Sequence, residues 1–437
     1  MKSKFGRATV LGLALAFTIF AAVSADAAGT VFVGGCGTPS FSTIQGGVNG
    51  ATAGSTVDVC PGTYPEQVVI NKRLTLQGIS VGSANQAIVA APAGGVVANT
   101  VSLTTGELIA AQIWVHDTAG VTISNLTVDG ASNGISACSP DLVGVYYQDA
   151  SGVVDHIVAR NQTAGLTSPL NGCQWGLGIF VQSGVSTVTS KAGTSTVTVR
   201  DSSVHDFQKN GITGNEVGTT MNAILNQVRG QGPTTGAAEN GIQIADGADG
   251  EAVNNTVIDT IYSPCVSISD CAATANGILI FDSEGISITS NHVGNTQGGV
   301  AIVGDGVSSA DNQTISGNVL DGTLVFDGID VCGSNGGTLN NNTVAGSGQS
   351  AIHLDSTCTT IGGPAGGGAS LNNNTLNEAC AGILNGTSGN TIAAGNTFFN
   401  TTNTTLSGDS CTVSQADIAR LADGADHASI RPSPARP

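Results

Sequence analysis

A small residue followed by two apolar positions one apart recurs from Gly144 to Gly386, as in Gly277-Ile278-Leu279-Ile280. The copies begin at Gly144, Gly178, Gly211, Gly241, Gly277, Gly299, Gly328, Ala351 and Gly382, at intervals of 22 to 36 residues. Self-similarity at such a period marks a solenoid, one coil per repeat. Apolar residues alternate with period two, as in Val121 and Ile123 or Ile286 and Ile288, amid Gly, Asn, Thr and Ser. These residues suit strands and tight bends and disfavour helix. The pattern predicts two or three short parallel strands per coil, with inward apolar side chains stacked into a narrow core and outward ones forming columns.

Most copies are followed by a second alternation ending in Asn plus Val, Leu or Phe, at Asn226, Asn255, Asn291, Asn342, Asn374 and Asn396. Each of these Asn residues is expected at the same bend of successive coils, in the left-handed conformation that Asn tolerates, with its amide laddering to the next. The Asn-x-Thr triplets at Asn125, Asn161, Asn341 and Asn373 read as part of this ladder before they read as glycosylation acceptors.

A basic start (Lys2, Lys4, Arg7), an apolar run from Val10 to Val23 and the exit Ala25-Asp26-Ala27 read as a secretory signal over residues 1–27, cleaved near Ala27. The expected product is secreted, extracellular or periplasmic, with no transmembrane anchor. Without that segment 10 basic residues face 30 acidic ones, a net charge of −20, which disfavours nucleic acid and anionic membrane as partners. The repeat continues without a linker, so residues 28–412 are expected to form one elongated, monomeric domain. Ser414-Gln415-Ala416-Asp417 opens a short capping helix within residues 413–437, followed by a disordered tail, and residues 30–50 are expected to cap the other end.

Ten cysteines in an exported chain imply a disulfide framework. Cys36 with Cys60, Cys138 with Cys173, Cys332 with Cys358 and Cys380 with Cys411 are each about one coil apart. Strands of successive coils lie about 4.8 Å apart, within disulfide reach. Cys265 with Cys271 would close a short loop.

Phe41-Ser42-Thr43-Ile44-Gln45, Gly54-Ser55-Thr56-Val57, Pro61-Gly62-Thr63-Tyr64-Pro65-Glu66 and Leu74-Thr75-Leu76-Gln77-Gly78 resemble the opening coils of right-handed parallel β-helix proteins of the pectin-lyase-like superfamily. The resemblance implies that fold and a polysaccharide partner; the superfamily holds lyases, hydrolases, esterases, epimerases and non-catalytic surface proteins, so it does not select a reaction. Tyr147-Gln148-Asp149 matches only the first piece of the pectinesterase signature, the polygalacturonase motifs are missing, and His116-Asp117 lacks the partners of an epimerase site. Lys209 is the candidate base for a calcium-assisted lyase.

Counting from the small residue as zero, positions one and three point in and positions two and four point out. This places Asp330 and His353 in one outward column on neighbouring rungs, with Asp355 two residues beyond His353 on the same strand. Rung spacing and strand rise put the two carboxyl groups about 8 Å apart, inside the range of about 6.5–9.5 Å used by inverting glycosidases. Asp330, His353 and Asp355 are the candidate catalytic residues. Tyr146, Tyr147, Trp175, Phe180 and Phe281 are expected to give sugar rings a flat apolar platform, and Asp282 to extend a negative groove. The loop Asp246-Gly247-Ala248-Asp249-Gly250-Glu251 offers Asp246, Asp249 and Glu251 as calcium ligands, although no cofactor is required. The reading is a glycan-cleaving enzyme, hydrolase before lyase; the alternative is a non-catalytic carbohydrate-binding or adhesive surface protein.

Overall fold

Period-two alternation with Gly and Asn at the bends folds into three long sheets, of 14, 12 and 13 strands, in the computed structural model of the chain; all strands run parallel except the short Thr100–Val101, which pairs antiparallel with Leu108–His116. Residues 28–411 are described, except 81, 83–84, 164–171, 185–192, 266–272, 308 and 324. The signal segment, the capping helix and tail, and Cys271 lie outside the described residues. In each sheet a strand pairs with those of the coils before and after it, so every coil contributes one strand to each sheet and the fold is a right-handed parallel β-helix.

All nine copies of the repeat fall in the third sheet, in strands that include Leu177–Gln182, Asn276–Phe281, Ile329–Cys332 and Ser350–Asp355. Position one stacks in register through Val145, Ile179, Ile212, Ile242, Ile278, Val300, Ile329, Ile352 and Ile383. These residues lie wholly in the core, with position three, from Tyr147 to Leu354, beside them. Inward and outward faces therefore follow the sequence pattern, because a slip of one residue would reverse them.

The asparagine ladder is present, with two corrections. Asn318 joins it: Nδ2 of Asn226, Asn255, Asn291, Asn318 and Asn342 each donates to Oδ1 of the next member at 3.0 Å, and Asn374 donates to Asn396 at 2.8 Å. The left-handed residue is the one before each ladder Asn, as at Leu225, Asn254 and Ser290. Asn125, Asn161, Asn341 and Asn373 occupy such bends, with φ of 54°, 61°, 58° and 56°. The ladder Asn itself lies just inside the turn, where its buried amide reaches both the next coil and a carbonyl of the preceding strand, as Asn291 does with Ala252 O at 2.8 Å.

The four expected coil-to-coil disulfides form, with Cα separations of 5.9, 5.2, 5.5 and 6.0 Å for Cys36–Cys60, Cys138–Cys173, Cys332–Cys358 and Cys380–Cys411. Near the N-terminal end a helix, Ile44–Gly50, packs Ile44 and Val48 inward. Thr43 caps it, and the Glu66 carboxyl accepts from Ile44 N at 2.7 Å and Gln45 N at 2.9 Å, satisfying amides that a helix start leaves free.

Asn291→Ala removes the side-chain acceptor of the buried Asn255 backbone N–H, one of the two acceptors of the Asn255 side-chain amide and the Asn291 donor to the Ala252 carbonyl, and should lower stability by about 3 kcal/mol. Thr314→Ala, at an exposed position of the first sheet, should change it by less than about 0.5 kcal/mol. Urea unfolding followed by circular dichroism compares the two.

Candidate active site around His353

On the third sheet Asp330 stands directly opposite His353, and Cys332 opposite Asp355. Ile329, Val331, Ile352 and Leu354 fill the core, so Asp330 and His353 must project outward. The structure thus brings the three candidate catalytic residues together. His353 Nδ1 is 4.0 Å from Asp330 Oδ1, and its Nε2 is 4.0 Å from Asp355 Oδ1.

Two further acids complete the cluster. Asp327 sits just before the repeat glycine Gly328, is buried, accepts from Ser350 N at 2.8 Å, and binds His353 Nδ1 through Oδ2 at 3.1 Å. Asp409 follows the last third-sheet strand, Asn403–Ser407. Its carboxyl accepts from Ser356 N at 3.1 Å and Ser356 Oγ at 2.6 Å, and lies 3.5 Å from His353 Nε2. Two features of the sequence make that approach possible: Cys411 ties the arm to Cys380, and Gly386, at position four of the last repeat, has no Cβ to collide with the Asp409 carboxyl. Asp355 accepts from Thr357 N at 2.6 Å and Oγ1 at 2.8 Å, a local turn bond that fixes its carboxyl.

Asp327 carried a sequence signal. In earlier repeats the position before the small residue is Asn210, Asn240 and Asn276, which bond in series at 3.2 and 3.3 Å; Gly298 ends that column, and one coil later an Asp takes the position. Asp409 lies outside the repeats, so only its closeness to Cys411 pointed to it.

These groups line a groove of about 310 Å³, with Gly298, Gly299 and Ala301 as a floor and Asn276 and Phe326 beside it. Ala301 precedes Asp330 in the outward column, and its small side chain leaves room above the acid.

The electrostatics follow from burial and charge. Burial by itself would push His353 down, but the hydrogen bond to Asp327 and the charges of Asp327, Asp330 and Asp355 outweigh it and raise its pKa to about 9. Burial raises Asp330 well above the ordinary carboxyl range; the charge of His353 opposes this, and those of Asp327, Asp355 and Asp409 reinforce it. Its Oδ1 is buried without a hydrogen-bond partner although the side chain is 29% exposed. Burial would also raise Asp409, but hydrogen bonds from Ser356 and the charge of His353 hold it below the usual value. Neighbouring carboxyl groups are thereby driven apart in protonation.

The remaining predicted site residues are placed elsewhere. Tyr146 and Phe180 stack at 4.9 Å between ring centroids, but both are buried and form no exposed platform. The chain around residues 99–108 folds over this part of the sheet: Thr100 Oγ1 donates to Gln148 at 2.9 Å, Leu103 N donates to Gln182 at 3.0 Å, and Tyr146 OH donates to Gln182 at 2.6 Å. Tyr147 occupies position three and lies in the core, with its hydroxyl donating to Val121 O at 3.1 Å. Trp175 is buried with Leu142 and Cys173. Phe281 is half-buried in register with Val303, which lines the groove. Asp282 is buried in a left-handed bend and accepts from Asp305 N at 3.0 Å, so it anchors a loop.

The three acids of the calcium loop are divided between elements. Asp246 follows the third-sheet strand Asn240–Ala245, whereas Asp249 and Glu251 lie on the next first-sheet strand, Asp249–Val253. Among the described residues the acid and His side chains that gather three ligand atoms are Asp155, His156 and Asp201, and two sets sharing His353. Lys209, the candidate lyase base, is buried and donates to Ala238 O at 2.8 Å; burial lowers its pKa to about 8 against the charge of Glu239.

No family model matches the chain, and no curated protein matches its sequence. Solved structures match its fold. The GH136 lacto-N-biosidase from Eubacterium ramulus is 11% identical, with a TM-score of 0.56, over 85% of this chain and 68% of that one. The Dettilon tailspike protein is 14% identical, with a TM-score of 0.50, over 79% of this chain; the match spans only 62% of the tailspike. At these identities the likeness establishes the parallel β-helix.

A raised His353 pKa stabilises the fold fully below the unfolded value of about 6.5, and that contribution is lost as pH rises through about 9. In metal-free buffer the wild type should lose on the order of 3 kcal/mol across this window, and His353→Gln much less. Urea midpoints measured from neutral to alkaline pH give the comparison, and the imidazole C2 proton gives the pKa itself. A midpoint at or below the free-histidine value would show that the carboxyl groups do not hold the imidazolium.

Proposed function

We propose that this chain is an exported enzyme that cleaves a polysaccharide by hydrolysis in the groove around His353. The observation that carries the reading is the Asp330 carboxyl, raised well above the ordinary range and with Oδ1 unpartnered, across an imidazole from Asp355 and Asp409. A glycosidase needs one carboxyl that keeps its proton and another that does not. Asp330 is the general acid to the leaving glycosidic oxygen. Asp355, with Asp409 beside it, holds and deprotonates the attacking water. His353 positions both sides and offsets their charge.

Hydrolysis is favoured over elimination because no Lys or Arg is among the described residues that line the groove, and Lys209 is spent on Ala238. The acidic groove and the net charge point to a neutral or weakly charged glycan. The lacto-N-biosidase with the same fold supports a glycan substrate. Export is supported by the four described disulfides, which persist in oxidising compartments.

The test incubates the purified chain with neutral and acidic polysaccharides, following new reducing ends and the ultraviolet absorbance of unsaturated products. Reducing ends without absorbance are expected, and Asp330→Asn should lower the rate by about 10²–10⁴-fold. Absorbance would mean elimination. Silence across the panel, with retention on one immobilised glycan, would replace the enzyme by a binding protein.

A further inference from the structure

We propose that His353 Nε2, Asp355 and Asp409 form a binding site for a divalent transition ion, and the ligand set selects Zn²⁺. One ligand atom from each lies within 4.8 Å of the others. His353 is 95% buried by its 5% side-chain exposure, and its Nε2 has no hydrogen-bond partner. An imidazolium closing on a carboxyl would reach about 2.8 Å, yet Asp409 and Asp355 stand off at 3.5 and 4.0 Å. Bonds of about 2.1 Å to a tetrahedral ion separate its ligands by about 3.4 Å, so slight closure of these three groups makes the cage.

The surroundings match what an ion requires. His353 Nδ1 is tied to Asp327, which Ser350 holds in turn; this is the carboxylate–histidine arrangement that fixes a ligand ring and raises its basicity. Asp355 and Asp409 are each fixed by a neighbouring hydroxyl and backbone amide, with lone pairs to spare. Asp355, Asp409 and His353 all line the groove, which leaves space for a further ligand such as water. An imidazole with two carboxyl oxygens suits Zn²⁺ better than Ca²⁺, which takes six or more oxygens. The other acid–histidine group lacks these features: His156 is exposed, and its Nδ1 is held by Asp155, which Arg200 also pairs.

The site stands independently of turnover, and deepens the hydrolase reading only in supplying an activated water on the Asp355 and Asp409 side of the imidazole. The full mature chain, stripped of metal, is titrated calorimetrically with ZnCl₂ and with CaCl₂, and its melting temperature is recorded with each. One zinc per chain, a zinc-dependent rise in melting temperature and no comparable response to calcium are expected. Asp409→Asn should abolish both zinc effects, and Asp327→Asn should weaken binding by about 10–100-fold, while each variant keeps the strand signature and a cooperative melt. Should Asp409→Asn fail to fold, the Asp327→Asn shift carries the test. Absence of zinc heat and of a melting shift in the wild type overturns the site. If glycan is still cleaved then, the hydrolase reading survives alone; zinc binding in a chain silent on every glycan keeps the site and removes the hydrolase.

Discussion

Register between coils is the constraint on which everything else in this molecule rests. Backbone pairing in parallel sheets tolerates sliding in steps of two residues, and short strands rich in Gly, Thr and Ser offer few bulky side chains to prevent it. The asparagine ladder removes that freedom. Each buried ladder Asn from Asn226 to Asn374 binds the next coil's Asn and a carbonyl of the preceding strand, so the turn between first and second sheets is held at one height in each coil from Asn226 to Asn396. A displaced coil would leave several buried polar groups unpaired at once. The apolar columns in the third sheet stay aligned because the bend does, and Asp330 meets His353 for the same reason.

The disulfides act on a different scale. Cys332–Cys358 joins the Asp330 strand to the chain just beyond Asp355, and Cys380–Cys411 fixes the arm that carries Asp409. Two of the four described staples therefore bracket the acid cluster. A solenoid coil is held mainly by its neighbours, and the terminal coil, with the strand Asn403–Ser407, has a neighbour on one side only. Asp409 follows that strand, and the Cys380–Cys411 bond ties it to the coil before.

How far the sequence reaches is clear from particular residues. The period-two alternation from Val145 to Ile383 is local, so core and outward columns could be read directly, and with them the Asp330–His353 pair. What local period cannot encode is the path of a segment that leaves the coil. The chain around residues 99–108 covers Tyr146 and Phe180, turning an outward column into buried contact. Asp409 enters the cluster from the end of the strand Asn403–Ser407, which carries no copy of the repeat phrase, held by Cys411 and admitted by Gly386. Tyr147 is a different case, since position three already pointed inward. The off-by-one placement of the left-handed residue reflects chemistry: the ladder Asn needs its amide turned inward to two partners, and its predecessor takes the strained φ instead.

Charge compensation decides why the cluster takes this form. Four carboxyl groups converge on one imidazole, and among the described residues lining the groove His353 carries the only positive charge. Like charges so close cannot all persist in a low-dielectric setting. Three outcomes relieve the excess: Asp330 keeps its proton, His353 gains one, or a cation enters. The first two are the states that burial and the neighbouring charges already favour; the third replaces the imidazolium proton with a metal at Nε2. A groove balanced among these states can hold a proton on one side and a hydroxide-bearing centre on the other, the polarity that cleaving a glycosidic bond requires.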